Sequence, residues 1–519
     1  LGKIAAVMVT SACAFASAQV SWPPASCGCA EWHQEHVESY APCAENSIVR
    51  VTRFGGNGSI SFMQFLNQLN KDDSTTYVIA ADTAPYILGC RNITIGGSTE
   101  PRRCIMVRGE TGRREDVVLA GLDPRTSPNF WKSSEYGGPS PCGIASFIQT
   151  QDVQHFVIAD LTIRNFPGKM IKIDGNTGYS GRNIIMHNIE LHDCGSQMVK
   201  VAAGTGISSR DCIVECSYLH YTDALFAEST YETQGVDVHK GVNWIIRYNL
   251  FRNFRQGGSG NSDAILMWDH TDSVLTEGNL IINCNMGARM AIMGSGGNFM
   301  WALNNIVVAD DPDPRFRYNV SFEIGSSVTN GWIYHNTIWN PEGDGSLGTC
   351  FNQVPARNNV YFGGAFSSGC YDADNVRVQA PSAFNSVSDV YDFHPTRDFQ
   401  VPSIAEAVYD LEGRTRPALA TAGAYQFSPD AVEEAITGRE TELAVSPNPC
   451  NASMTVSLSN CESNAQVKLS NLRGQVIKCA ALKPRNTIVW DARDISPGVY
   501  ILNCLAKGKR FSKKVALVR

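Results

Sequence analysis

Asp237 and His239 stand two residues apart in the stretch Val236-Asp237-Val238-His239. In an extended chain, residues i and i+2 point to the same face about 6.7 Å apart. The carboxylate and the imidazole therefore share one face, and the valines take the other. Similar short runs surround this one. Ile171-Lys172-Ile173-Asp174, Val199-Lys200-Val201-Ala202 and Ile265-Leu266-Met267-Trp268 each alternate an inward aliphatic residue with an outward residue. Aligning the runs by Ile171/Ile173, Val199/Val201, Val236/Val238, Ile265/Met267, Met290/Ile292 and Val320/Phe322 gives two outward columns. One reads Lys172, Lys200, Asp237, Leu266, Ala291, Ser321. The other reads Asp174, Ala202, His239, Trp268, Met293, Glu323. Neighbouring strands lie about 4.8 Å apart, so Lys200 is expected beside Asp237, and His239 beside Trp268.

Such a patch has the parts for removing a proton next to a carboxylate. That chemistry needs a cation to neutralise the carboxylate, a base for the proton and an acid for the leaving oxygen. Lys172 suits the first role and Lys200 or His239 the second. Asp237 would orient them, and Trp268 offers a flat face to a sugar ring. Arg289, Tyr231, Glu232, Asp269 and His270 are expected along the rim. A hydrolase would instead need two carboxylates about 5 Å or 6.5–9.5 Å apart, with Asp237 and Glu323 or Asp263 and Asp269 as pairs. A solvated face is the plainer alternative, because charges on an outward ladder also deter edge pairing. His187, His192 and His220 read as structural turn residues.

These columns exist only if the runs stack. The region from His155 to Gly364 repeats units of alternating β-branched runs broken by Asn, Gly and Asp turns. No unit is large enough to bury its own apolar face, so stacking must do so. Recurrent Asn188, Asn249, Asn279, Asn305 and Asn336 suit turns, since an amide side chain tolerates left-handed backbone and can bond its neighbour one coil above. The expected class is all-β: a parallel β-helix (solenoid) followed by a small C-terminal β-sandwich. Ile60–Asn70 reads as a helix capping the open first coil.

The chain has 519 residues, 43% hydrophobic and 18% charged, which is globular rather than disordered. Net charge is −7, unevenly spread. From Leu443 onward twelve lysines and arginines face three acids, so the tail carries +9 and the remainder −16. An acidic body argues against nucleic acid as partner. Residues 1–18 have the pattern of a secretory signal, with Lys3, an apolar run and Ala16-Ser17-Ala18. No later apolar run is long enough to span a membrane. Of seventeen cysteines, sixteen follow the signal, which in an exported chain suggests disulfides. Cys27, Cys29, His33 and His36 have no standard zinc spacing, and no metal ligands are assigned. The aspartates of Asp310–Pro314 could hold calcium, but with two prolines the stretch reads rather as a rigid turn; the cofactor is left open, with calcium the one candidate.

Two stretches resemble known families. Ser446-Pro447-Asn448-Pro449, Asn471-Leu472-Arg473-Gly474-Gln475, Trp490-Asp491, Pro497-Gly498-Val499-Tyr500 and the basic end Lys513-Lys514…Arg519 resemble the C-terminal sorting domain of the type IX secretion system. The body, through "ADLTIRNF", "QGVDVHKGVNWIIRYNLFRNF", "DAILMWDHTDSVLTEGNLIINC" and "GAYQF", resembles secreted right-handed parallel β-helix repeat proteins of the pectate-lyase-like superfamily. The first resemblance implies export to the cell surface or medium. The second implies a fold that hosts polysaccharide lyases, glycoside hydrolases and non-enzymatic adhesins. The expected organisation is a signal peptide at 1–18, the β-helix with its cap at 19–427, a linker at 428–442 and the sorting domain at 443–519. The expected function is a monomeric, carbohydrate-active polysaccharide lyase, acting by β-elimination on an acidic glycan. A glycoside hydrolase and a glycan-binding surface protein are the alternatives.

Overall fold

The computed structural model describes residues 22–517 with interruptions, the longest at 131–141, 223–232, 312–319 and 429–442. The expected signal peptide and nearly all of the expected linker lie outside the described residues. The chain divides into two compact units, Leu1–Phe427 and Ser428–Arg519.

The first unit is a parallel β-helix. Its strands fall into three sheets of thirteen, eleven and ten, and nearly every strand pairs in parallel with those one coil before and after. The first sheet runs through Val153–Ala159, Gly181–His187, Ser209–Glu215, Gly241–Arg247, Asp272–Glu277, Met300–Leu303 and Gly331–Tyr334; the second through Thr162–Phe166, Glu190–Cys194, Tyr218–His220 and Leu250–Arg252. In the third, Lys169–Asp174 (β1), Val199–Ala202 (β2), Val236–His239 (β3), Asp263–Trp268 (β4), Met286–Ile292 (β5) and Val320–Ile324 (β6) lie side by side. Inward residues such as Ile171, Val201, Val236, Val238, Ile265, Met267 and Phe322 are fully buried in one continuous core. That burial is what stacking achieves and a lone coil cannot.

The corner between the first and second sheets is a polar ladder. Asn249, Asn279, Asn305, Asn336 and Asn359 are fully buried. Each side chain donates to the next Oδ1 at 2.8–3.1 Å, ending on Asn375. Each Oδ1 from Asn279 on also accepts the backbone N–H of the asparagine one coil before. Two expectations need correction here. Asn188 lies outside the ladder and bonds Asp160; the ladder position in its coil is Ile189, whose N–H reaches Ser217. The left-handed backbone belongs to the residue before each ladder asparagine (Tyr248, Gly278, Asn304, His335, Asn358). The amides are there for their two-sided bonding, and the turn geometry falls on their neighbours.

Phe62–Gln68 (α1) forms inside the helical stretch expected. Ser61 and Gln64 make a reciprocal capping box. Phe62, Phe65 and Leu66 are buried, with Phe65 against Tyr77 and Phe62 against Tyr86. The helix thus closes the apolar interior of the first coils. A segment before the first coil packs Val37 and Cys43 on the outside of the first sheet, against Met106, Val157 and Ile185. Disulfides Cys29–Cys216 and Cys43–Cys104 tie it down; Cys90–Cys142 and Cys350–Cys370 are two more, the latter joining the end of one strand to the start of another. At the far end Phe384, Phe393, Phe399 and Tyr425 pack with Ile282, Val308 and Trp339.

The second unit has two antiparallel sheets, of three and four strands. Met454, Val456, Val467, Leu469 and Leu502 fill the core between them. In this unit Cys479 is exposed and unbridged, while Cys450 and Cys461 lie outside the described residues.

Candidate active site

Parallel pairing fixes the outward neighbours of β1–β4. Lys172 pairs with Lys200, Lys200 with Asp237, Asp237 with Leu266, and His239 with Trp268. The Lys200 Nζ lies 2.5 Å from Asp237 Oδ2 and 2.8 Å from His239 Nε2. Asp237 Oδ1 lies 3.3 Å from the same imidazole nitrogen. One cation, one carboxylate and one imidazole thus converge from two adjacent strands. The His239 and Trp268 rings follow one another on successive strands, with centroids 6.2 Å apart and planes 31° apart.

Burial refines the picture of an outward face. Asp237 is only 2% exposed, whereas the His239 side chain keeps 22% and that of Lys200 12%. Asp237 Oδ1 is buried with no hydrogen bond among the described residues. A buried carboxylate oxygen in that state is costly unless a cation comes to it, and the imidazole beside it can become one.

The other expected residues fall out differently. Lys172 is held by Asp174 at 3.1 Å, so its charge is met locally; Asp174 also accepts from Gln149. Asp269 sits in the turn after β4, bonded to His270 and 3.7 Å from Lys240. Tyr231, Glu232 and Met293 lie outside the described residues.

The expected alignment fails at β5 and β6. A bulge between Leu266 and Trp268 shifts β5, so that Ala288 and Met290 point inward and Arg289 pairs with Leu266. The column therefore continues Leu266, Arg289, Glu323 and not Leu266, Ala291, Ser321. Gly287 makes the close approach possible, since a Cβ there would sit 2.1 Å from the backbone oxygen of Ser321. Arg289 is not a rim residue: it is 8% exposed and clamped between Glu323 at 2.6 Å and Asp263 at 3.4 Å. Burial opposes its charge, but the two carboxylates outweigh that and raise its pKa further.

His187, His192 and His220 lie in strands rather than turns. His192 bonds Asp193 and His220 bonds Glu190. His187 joins a centre that sequence patterning missed, in which buried Glu215 is bonded by His36, His187 and Arg247. Its members come from strands and from the N-terminal segment, with His36 and Glu215 179 residues apart, and no periodicity links them. Of the N-terminal cysteines and histidines, Cys29 is in a disulfide, His33 bonds Asp160 and His36 bonds Glu215.

Residues 444–518 match the family described as "Secretion system C-terminal sorting domain". No curated protein matches the chain. Among solved structures, the mannuronan C-5 epimerase AlgE6 A-module of Azotobacter vinelandii is similar at a TM-score of 0.22 and 12% identity, over 59% of this chain and 91% of that one. That overlap is too slight to bear on chemistry. No helix among the described residues is long and apolar enough to cross a membrane. The chain is a parallel β-helix with a type IX sorting domain at its C-terminus, and so an exported protein, secreted or held at the cell surface.

Proposed function

We propose that this exported β-helix is a polysaccharide lyase that cleaves an acidic glycan by β-elimination at Lys200, Asp237 and His239. The observation that carries the reading is the 2.8 Å contact between Lys200 Nζ and His239 Nε2. A nitrogen 2.5 Å from a carboxylate oxygen has the geometry of an ammonium donating. Lys200 is then the cation, its second proton lies towards His239, and the imidazole is the free base.

A uronate carboxylate entering the site would draw the Lys200 ammonium towards itself and uncover Nε2. The C–H bond beside the carboxylate breaks and its proton goes to His239. The electron pair forms a double bond, the C–O bond to the neighbouring sugar breaks, and the leaving oxygen takes a proton from Lys200. Transfer from His239 to Lys200 restores both groups. Asp237 Oδ1 would stabilise the imidazolium while it lasts. Trp268 would carry the sugar ring. The neutralising role expected of Lys172 passes to Lys200, because Asp174 already holds Lys172.

A hydrolase is less well supported. Asp237 and Glu323 are three strands apart on the sheet, about 14 Å at the usual strand spacing and beyond either hydrolase geometry. Asp263 is buried against Arg289. The test is product chemistry on uronate polymers, with and without calcium: an unsaturated end supports the lyase, new reducing ends without it support the hydrolase, and binding alone supports an adhesive role.

A further inference from the structure

A second flat aromatic surface lies on the outside of the first sheet, away from the charged column. Ile245, Leu275, Trp301 and Trp332 occupy successive strands in one outward row. Trp332 stacks on one face of Trp301, with centroids 3.9 Å apart and planes 17° apart. The side of Trp301 towards Leu275 is left as a wall. The floor is aliphatic, and Asn243, Ser273 and Glu406 line the space, which is a cleft of about 350 Å³. That falls within the roughly 300–1,000 Å³ of small-molecule sites.

The neighbouring row gives an independent sign. Asp211, Asn243, Ser273 and Phe299 all take left-handed backbone, with φ between 54° and 58°. The first three are residues that tolerate such a turn or are small. A phenylalanine there is strained, and Phe299 is also 52% exposed. Its ring runs nearly parallel to Trp332, at 6.3 Å and 20°. The Phe299 side chain lines the same cleft.

We propose that this cleft binds an uncharged pyranose of a glycan chain, as a site separate from Lys200–His239. A pyranose offers an apolar C–H face to an indole and hydroxyl groups to the rim. The lining holds one carboxylate, Glu406, and no lysine or arginine. Sugar hydroxyls can donate to Glu406 and Asn243, whereas a uronate carboxylate would be repelled. The inference does not depend on the lyase reading.

The test is calorimetric titration of the full chain with cellohexaose, mannohexaose and xylohexaose, and separately with a hexauronate. At least one neutral hexamer is expected to bind. Trp301→Ala should weaken it tenfold or more, and the surface variants Phe299→Ala and Glu406→Gln threefold or more, with Lys200→Ala leaving it unchanged. The two surface variants guard against misfolding of Trp301→Ala, which circular dichroism and urea midpoints would reveal. The proposal is overturned if no neutral hexamer binds, if Phe299→Ala and Glu406→Gln bind as tightly as wild type, or if these variants lose the hexauronate instead. A failed lyase reading would show as missing unsaturated product and would leave this binding intact.

Discussion

Lys200 and His239 are 39 residues apart in the chain and 2.8 Å apart in space. Parallel register alone brings them together: Val199, Lys200 and Val201 pair with Val236, Asp237 and Val238, and His239 follows one step on. The contact lies on a rigid sheet above fully buried valines, which is the support a proton-transfer pair needs to hold its geometry.

His239→Ala should lower turnover on the preferred uronate polymer about 10²–10⁴-fold, the usual loss for a removed general base. Lys200→Ala should lose at least as much, since it removes both the cation and the acid. Steady-state rates measured beside urea midpoints will separate chemistry from folding, because both side chains lie on the outer face.

Lys172→Ala should cost less, about tenfold or under, because Asp174 already takes its charge. A loss as large as that of Lys200→Ala would move the neutralising role back to Lys172.

Asn305→Ala should destabilise the solenoid by about 2 to 4 kcal/mol. It leaves the backbone N–H and the amide of Asn279 without their shared acceptor inside the core. Urea denaturation followed by circular dichroism would measure this. The same change at exposed Asn243 should cost less, about 1 kcal/mol, because alanine is strained in its left-handed backbone.

A buried centre at Glu215 and a half-buried one at His394 predict opposite pH responses. Burial works to raise the pKa of Glu215, but bonds from His187 and His36 and the charge of Arg247 outweigh it and hold Glu215 well below the usual range. Its contribution is present above the unfolded value of about 4.3 and is lost as pH falls below it. For His394 burial lowers the pKa, but Asp392 and Glu412 win and raise it to about 9. That contribution is complete below the unfolded value of about 6.5 and disappears as pH rises through about 9. Thermal midpoints should therefore fall at both ends. Glu215→Gln should flatten the acid limb, and His394→Gln the alkaline one.

The solenoid and the sorting module were legible because period-two patterning and turn residues repeat with each coil, and because the tail's motifs keep their order. The four rungs from Lys172 to Trp268 were legible for the same reason, since each carries two inward aliphatic residues that set the register. At β5 a bulge shifts the register. Ala288 is as good an inward residue as Ile292 only if a bulge is allowed, and alternation cannot signal a bulge. Burial of Asp237 was equally hidden, because it depends on what surrounds the strand. The Glu215 centre was out of reach, as it joins His36 to strands far along the chain.

The central claim is proton abstraction beside a uronate carboxylate. Its most direct measurement is the ultraviolet absorbance of the resulting double bond during incubation with uronate polymers. The account predicts a steady rise with the wild-type protein and one about a hundredfold or more slower with Lys200→Ala or His239→Ala at equal folded concentration. Cleavage with new reducing ends and no rise, or an undiminished rise in both variants, would contradict it.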